Sequence, residues 1–340
     1  MKNEPRLSAR KANLVRYVLV IAALSAALWY GRTRSGPELT PHFQTLFPQA
    51  ATFKSSNAVS TALDAEGKFL GWVTVGSAPG FGGPMSVAVG IQATGKIVGA
   101  NVVEHKETPM FFQMIKAPDY FASLIGRSFD GVDFSENVDA VTGATLSNVA
   151  LAASVNDGVT RIAAEQFDVH VPVPARPFEV GIPELAVILL FAVGLAAQYL
   201  HKPLREMLRW TTQVAALLIV GFWENSPITL AKITALLSGY LPDARTNLAL
   251  FLLIGGFALS VLFLGKDLYC LHVCPFGAAQ RFINAIGGKR LSLPLWSVRL
   301  MNNARNLVVL VAIAAALATA QPARASYEPF AALFALKGTM

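Results

Sequence analysis

Two kinds of hydrophobic pattern divide the chain. Charge-free apolar runs occupy Tyr17–Gly31, Leu185–Leu200, Trp210–Trp223, Thr246–Gly265 and Asn306–Ala323. A helix needs about 20 such residues to cross lipid, fewer when its ends snorkel, so these runs predict about five membrane helices. The Trp210–Trp223 run is short and equally suits a buried or tilted segment, and Ser226–Pro242, which carries Lys232, reads as an interfacial helix. Over about residues 45–170 the pattern changes to alternation punctuated by glycine. It predicts strands at Ala58–Leu63, Phe69–Val75, Met85–Ile91 and Ile97–Val103, joined in an antiparallel meander by turns such as Asp64-Ala65-Glu66-Gly67 and Ala93-Thr94-Gly95. Phe111–Ile115 and Tyr120–Ile125 suggest short helices. A longer helix over Leu146–Glu165 has Val149, Ala152, Ala153, Val159 and Ile162 on its apolar face. The expected fold class is a membrane α-helical protein with one extracytoplasmic α+β domain.

Composition agrees, since 54% of the 340 residues are hydrophobic and only 14% charged, against roughly 45–50% and about 25% in soluble domains. The net charge of +7 matters less than where the cations lie. Lys2, Arg6, Arg10, Lys11 and Arg16 precede the first run, Lys202, Arg205 and Arg209 follow the second, and Lys266, Arg281, Lys289, Arg290, Arg299 and Arg305 fill the 265–305 loop. Among them stand only the acids Glu4, Glu206 and Asp267. Cation-rich segments stay in the cytoplasm, whereas residues 31–180 carry ten cations against fourteen acids. Five crossings then place residues 31–180, the 224–245 loop and the C-terminal tail on the far side. The basic excess is thereby explained without nucleic acid. The N-terminal run also fits a signal peptide, but no convincing small-x-small cleavage site precedes Arg32, which favours an uncleaved anchor.

Chemistry concentrates where the chain reads Asp139-Ala140-Val141-Thr142-Gly143-Ala144-Thr145-Leu146. Thr145 sits at a predicted helix N-terminus behind two small residues that admit a bulky group. Free N–H groups and the helix dipole favour a phosphate there. A plain threonine N-cap fits the same residues.

This segment resembles the flavinylation motif of the FMN-binding domains in RnfG and NqrC subunits and in NosR-type membrane proteins. The resemblance implies FMN joined covalently through its phosphate to Thr145 by a flavin transferase, with Asp139, Thr142, Gly143, Ala144 and Leu146 around the attachment. Gly80-Phe81-Gly82-Gly83-Pro84 and Glu104-His105-Lys106-Glu107-Thr108-Pro109 are similar to flavin-pocket segments of the same family. They add Gly82, Gly83, Pro84, His105, Glu107 and Thr108 to the expected cofactor-binding set. In RnfG-like chains glycine usually follows the Thr-Pro pair, whereas here Met110 and Phe111 do, which implies a more apolar wall. No catalytic residue is required, because the flavin performs the redox chemistry and the protein supplies burial, orientation and electrostatics.

The chain's two cysteines, Cys270 and Cys274, fall in Cys-x-x-x-Cys-Pro, four apart and so on one face of a helix. The segment resembles the cytoplasm-facing cysteine motif of NosR-type proteins and related membrane quinol dehydrogenases, as Tyr327-Glu328-Pro329-Phe330 also does. A reducing cytoplasm disfavours a disulfide. Two thiolates supply half an iron or iron–sulfur site, the rest coming from a second copy or a partner chain, and small apolar fillers at a helix end fit the pair as well. Haem is set aside: His201 and His272, the histidines near lipid, both lie at the cytoplasmic edge.

The expected organisation is an anchor at 1–31, a periplasmic FMN-binding domain at 45–170, a four-helix membrane domain at 180–323 and an extracytoplasmic tail at 324–340. It implies a multi-pass protein of a bacterial inner membrane. Electrons pass through the flavin between a quinol or membrane electron-transfer subunit and an extracytoplasmic redox partner. A redox-sensing regulatory or assembly protein using the same flavin is the alternative.

Overall fold

The structure is a computed structural model that describes residues 4–33, 36–80, 82–107, 112–113, 115, 117–129, 145–170, 180–224, 227–245, 247–287 and 294–325, without the side chains of residues 4–13, 117, 145 and 146. After a long helix α1 (Glu4–Thr33) and a short α2 (Thr40–Leu46), five strands follow: β1 (Thr52–Ser56), β2 (Val59–Leu63), β3 (Phe69–Pro79), β4 (Pro84–Ile91) and β5 (Ile97–His105). They pair in sequence order as one antiparallel meander. Next come α3 (Ala117–Leu124) and α4 (Thr145–Phe167).

The sheet is covered on both faces. Val59, Met85, Val87, Val89, Ile91 and Ile97 pack against Leu151, Val155, Val159 and Ile162 of α4. Ala62, Val73 and Ala88 turn the other way, onto Phe43, Leu46 and Phe47 of α2 and the turn behind it. Strand β4 therefore buries both its faces, and its sequence is a near-continuous apolar run.

The helical half comprises α5 (Ile182–Ala197), α6 (Lys202–Ala216) continued by a π-helical stretch Leu217–Trp223, α7 (Leu230–Leu237), α8 (Leu248–Leu264), a π turn Tyr269–Val273, α9 (Pro275–Ile286) and α10 (Leu295–Ala318). Val187, Leu190, Ala216, Val220, Leu253, Tyr269 and Val273 form its core. The Trp210–Trp223 run is thus not a separate short helix; it is the second part of one that starts at Lys202. Among the described residues two helices are long and apolar enough to cross a membrane, Leu14–Thr33 and Leu295–Ala318, and Ile182–Ala197 and Leu248–Leu264 are shorter apolar helices.

Contacts sort the loop ends into two sets. At one end, Lys266 Nζ donates to Gln198 Oε1 at 3.2 Å, and Arg281 pairs with Glu206 at 2.7 Å while lying 4.3 Å over the Trp210 ring. At the other, Gly31 of α1 lies against the Leu317 backbone of α10, and Arg32 donates to Ser238 O at 3.3 Å just beyond α7.

Candidate functional site

Strands β3 and β4 end in register at Pro79 and Pro84, and a bond from Gly80 N to Gly83 O, 2.8 Å long, closes the tip between them. That tip lies on the end of β5. A Cβ on Gly80 would run into the Glu107 carboxylate, and one on Gly82 into the Lys106 carbonyl. At Gly83, which holds φ +145°, it would come 2.8 Å from Lys106 Cβ. Glycine is therefore required for this approach at all three positions. Met85 pairs with His105 in the adjoining register, so Gly82, Gly83, Pro84, His105 and Glu107 gather at one corner of the domain.

Burial and charge at that corner suit a polar aromatic guest. Glu107 is 2% exposed, Lys106 is 7% exposed and pairs with Glu104, and the His105 ring stacks on Phe112 at 3.6 Å between centroids. His105 Nδ1 is buried and has no hydrogen-bond partner among the described residues. Desolvation holds its pKa below the ordinary value, against the opposing pull of the Glu107 backbone and the Glu104 carboxylate.

Helix α4 points its N-terminus at the same corner. Ser154 Oγ donates to Met85 O at 2.9 Å, and Gly158 lies beside Gly76 and Val89, so α4 runs in the same sense as β4. Thr145, the first residue of α4, is nine residues before Ser154. At about 1.5 Å per residue the helix reaches roughly 13 Å past Met85, to the tip. Asp139, Thr142, Gly143, Ala144 and Thr108 lie outside the described residues, as do the side chains of Thr145 and Leu146.

Two features were not foreseen from the sequence. Phe112, the stacking partner of His105, fell inside a predicted short helix with no role attached. Lys232 does not lie on a long interfacial helix: α7 spans only Leu230–Leu237, and Lys232 is 5% exposed, against the tip of the strand domain. A lone cation within Leu230-Ala231-Lys232-Ile233 was the available signal.

The cysteines also depart from expectation. Pro275 disfavours helical geometry at the residue before it, so Cys274 is extended with ψ 116° while Tyr269–Val273 forms a π turn closed by Cys274 N on Tyr269 O at 2.7 Å. The pair therefore does not share one face of a regular helix. Cys270 is exposed, and Cys274 is the buried N-cap of α9. The Cys270 thiol beside it, with backbone N–H groups of Gly277 and Phe276, lowers the Cys274 pKa to about 7 against the opposing effect of burial. Among the described residues no group of three or more His, Cys, Asp and Glu is placed to hold a metal.

Residues 80–160 match the FMN-binding domain family, and residues 246–294 match the 4Fe-4S binding domain family. The chain carries both domains. Over 171 residues it is 25% identical to a subunit of the ion-translocating oxidoreductase complex of Methanosarcina acetivorans, covering 44% of this chain and 91% of that one. Over 140 residues it is 26% identical to protein NirI of Paracoccus denitrificans, covering 35% of this chain but 21% of NirI. Over 101 residues it is 23% identical to a subunit of the proton-translocating ferredoxin:NAD(+) oxidoreductase complex of Clostridium ljungdahlii, covering 28% and 55%. The chain spans most of the first relative and about half or less of the other two. The set is consistent with a NosR-like FMN-binding membrane protein.

The residues of the FMN-binding domain fit that cofactor. The glycine tip packs on the end of β5, His105 presents a buried nitrogen without a hydrogen-bond partner among the described residues, and the N-terminus of α4 is directed to the same corner. The 4Fe-4S binding domain supports an iron–sulfur centre, and both cysteines of the sequence, Cys270 and Cys274, fall within residues 246–294; a [4Fe–4S] cluster takes four cysteine ligands.

Proposed function

We propose that this is a membrane flavoprotein that carries electrons through FMN joined by a phosphoester to Thr145. The observation that supports this best is the convergence of Gly82, Gly83, Pro84, His105 and Glu107 on the corner to which α4 points its Thr145 end, within residues 80–160. Two relatives are named as subunits of ion- or proton-translocating oxidoreductase complexes. Bound FMN supplies the electron-carrying chemistry. In this reading the residues of the chain hold and shield it: the glycine tip admits the cofactor, Glu107 and His105 line it, and Asp139, Thr142, Gly143, Ala144, Leu146 and Thr108 surround the linkage.

The proposed arrangement is an anchor at 1–31, a periplasmic FMN-binding domain at 45–170, a membrane domain at 180–323 and a tail at 324–340 in a bacterial inner membrane. The meeting of the end of α1, the end of α10 and α7 supports it, as do the basic side chains gathered at the opposite helix ends. About five spans follow, with the 16-residue α5 and 17-residue α8 tilted or packed inside the bundle. The proposed donor is a quinol or a membrane electron-transfer subunit, and the acceptor an extracytoplasmic partner. An iron–sulfur centre at Cys270 and Cys274 is completed by a second copy or a partner chain. Expression with a flavin transferase tests the attachment: the wild-type band fluoresces on a denaturing gel, and Thr145→Val does not. Full fluorescence in that variant removes the assignment.

A further inference from the structure

The glycine tip has a second wall, contributed by the helical half of the chain. Pro79, Gly83 and Pro84 face Lys232, Leu236 and Tyr240 across a cavity of about 320 Å³. That volume lies at the small end of the range for small-molecule sites. The wall is close, since a Cβ on Gly83 would stand 3.2 Å from the Tyr240 ring. Among the described lining residues, Lys232 is the one with a formal charge.

Placing an ammonium there is costly. Lys232 is 5% exposed, and a buried cation loses its hydration unless nearby groups restore the interaction. Burial draws its pKa down to about 7, with the Glu224 carboxylate pulling the other way. A group in the cavity that carries negative charge would shift that balance further toward the ammonium.

We propose that this cavity receives the isoalloxazine ring of FMN and that Lys232 is the cation facing it, so that the helical half completes the flavin site. The inference rests on the reading of residues 80–160 as the flavin carrier. The cavity opens at the corner to which α4 points, and its other wall carries Gly83 and Pro84, two of the residues already assigned to the cofactor. A cation beside the ring favours the form that has gained electrons and so raises its reduction potential. It also ties that potential to the docking of one half of the chain on the other. A flavin domain detached from α7 would lose the charge.

The test uses the full chain made with a flavin transferase, whose covalent linkage keeps the flavin present in the Lys232 variants. Dithionite titration in detergent yields a more negative midpoint potential for Lys232→Met than for the wild type, and Lys232→Arg returns most of the difference. An unchanged potential in flavinylated Lys232→Met overturns the inference. A second measurement needs no lysine variant: formaldehyde and borohydride methylate Lys232 several-fold more slowly in the flavinylated chain than in Thr145→Val. Equal labelling overturns the inference as well. A wild-type chain without flavin would remove the underlying reading too, whereas a flavinylated chain that fails either measurement removes this inference alone.

Discussion

Gly158 of α4 lies directly against Gly76 of β3: a Cβ built on Gly76 would stand 2.9 Å from Gly158 Cα and closer still to the Gly158 nitrogen and the Ser154 carbonyl. These are backbone atoms inside a helix and cannot rotate away. Gly76→Ala therefore pushes α4 off the sheet and moves its N-terminus from the glycine tip. We expect a loss of about 1–3 kcal/mol, with reduced covalent flavin. A Cβ on Gly158 would meet the Val89 side chain at 3.1 Å, so Gly158→Ala should cost less. Denaturant unfolding followed by tryptophan emission ranks the two variants, and the reverse order would contradict this packing.

The His105 corner sets a pH dependence whose sign follows from burial. The folded pKa lies below the ordinary 6.5 because desolvation disfavours the imidazolium. Above pH 6.5 the ring is neutral whether folded or not, and it has no effect on stability. As pH falls below that value, the unfolded chain takes up a proton that the folded one refuses. Stability therefore declines until the folded pKa is reached and then levels off. His105→Phe keeps an aromatic face for Phe112 and should flatten this part of the curve. Hydrogen exchange of the β4 and β5 amides between pH 7 and 5, corrected for intrinsic rates, reads the difference. A variant as pH-sensitive as the wild type would exclude His105 as the source.

Much of this corner was legible because its chemistry is local in sequence. Gly80 to Pro84 and Glu104 to Glu107 flank consecutive strands, and alternation placed β2 to β5 within a few residues of their observed ends. Strand β1 escaped because Thr52, Lys54, Ser55 and Ser56 are exposed and only Phe53 carries an inward signal. The π turn at Tyr269–Val273 escaped for another reason. A four-residue cysteine spacing implies a helical face, and the effect of Pro275 on Cys274 decides otherwise. Lys232 and Tyr240 meet Gly83 from more than 140 residues away. No local pattern marks an approach of that kind; it depends on how the two halves pack.

His272 supplies a test of the helical core. It is 2% exposed, its Nδ1 lies 3.0 Å from Thr212 Oγ1, and a Cβ on Gly194 would come 3.0 Å from its ring. Thr212→Val keeps the volume but leaves the ring nitrogen without that partner, which costs about 1–3 kcal/mol when the group is buried. The expected result is a lower midpoint of thermal unfolding in detergent with flavin content unchanged. An unaltered midpoint would show that the hydroxyl contributes nothing to the packing of α6 on the π turn.

Iron and flavin should separate cleanly by mutation. Cys274 packs with Ala216, Val220 and Leu253 in the core of the helical half, whereas the glycine tip lines a cavity with Lys232, Leu236 and Tyr240 of and beyond α7. With two of the four thiolates that an all-cysteine cluster takes, Cys270 and Cys274 complete one together with ligands from elsewhere. Cys270→Ser and Cys274→Ser should each reduce iron in anaerobically purified protein to background while in-gel flavin fluorescence stays at the wild-type level. In the wild type, iron and sulfide analysis should give one centre per two chains where a second copy completes the site, and one per chain where a partner does. Cysteine variants that retained the wild-type iron content would show that the metal is bound without these thiolates.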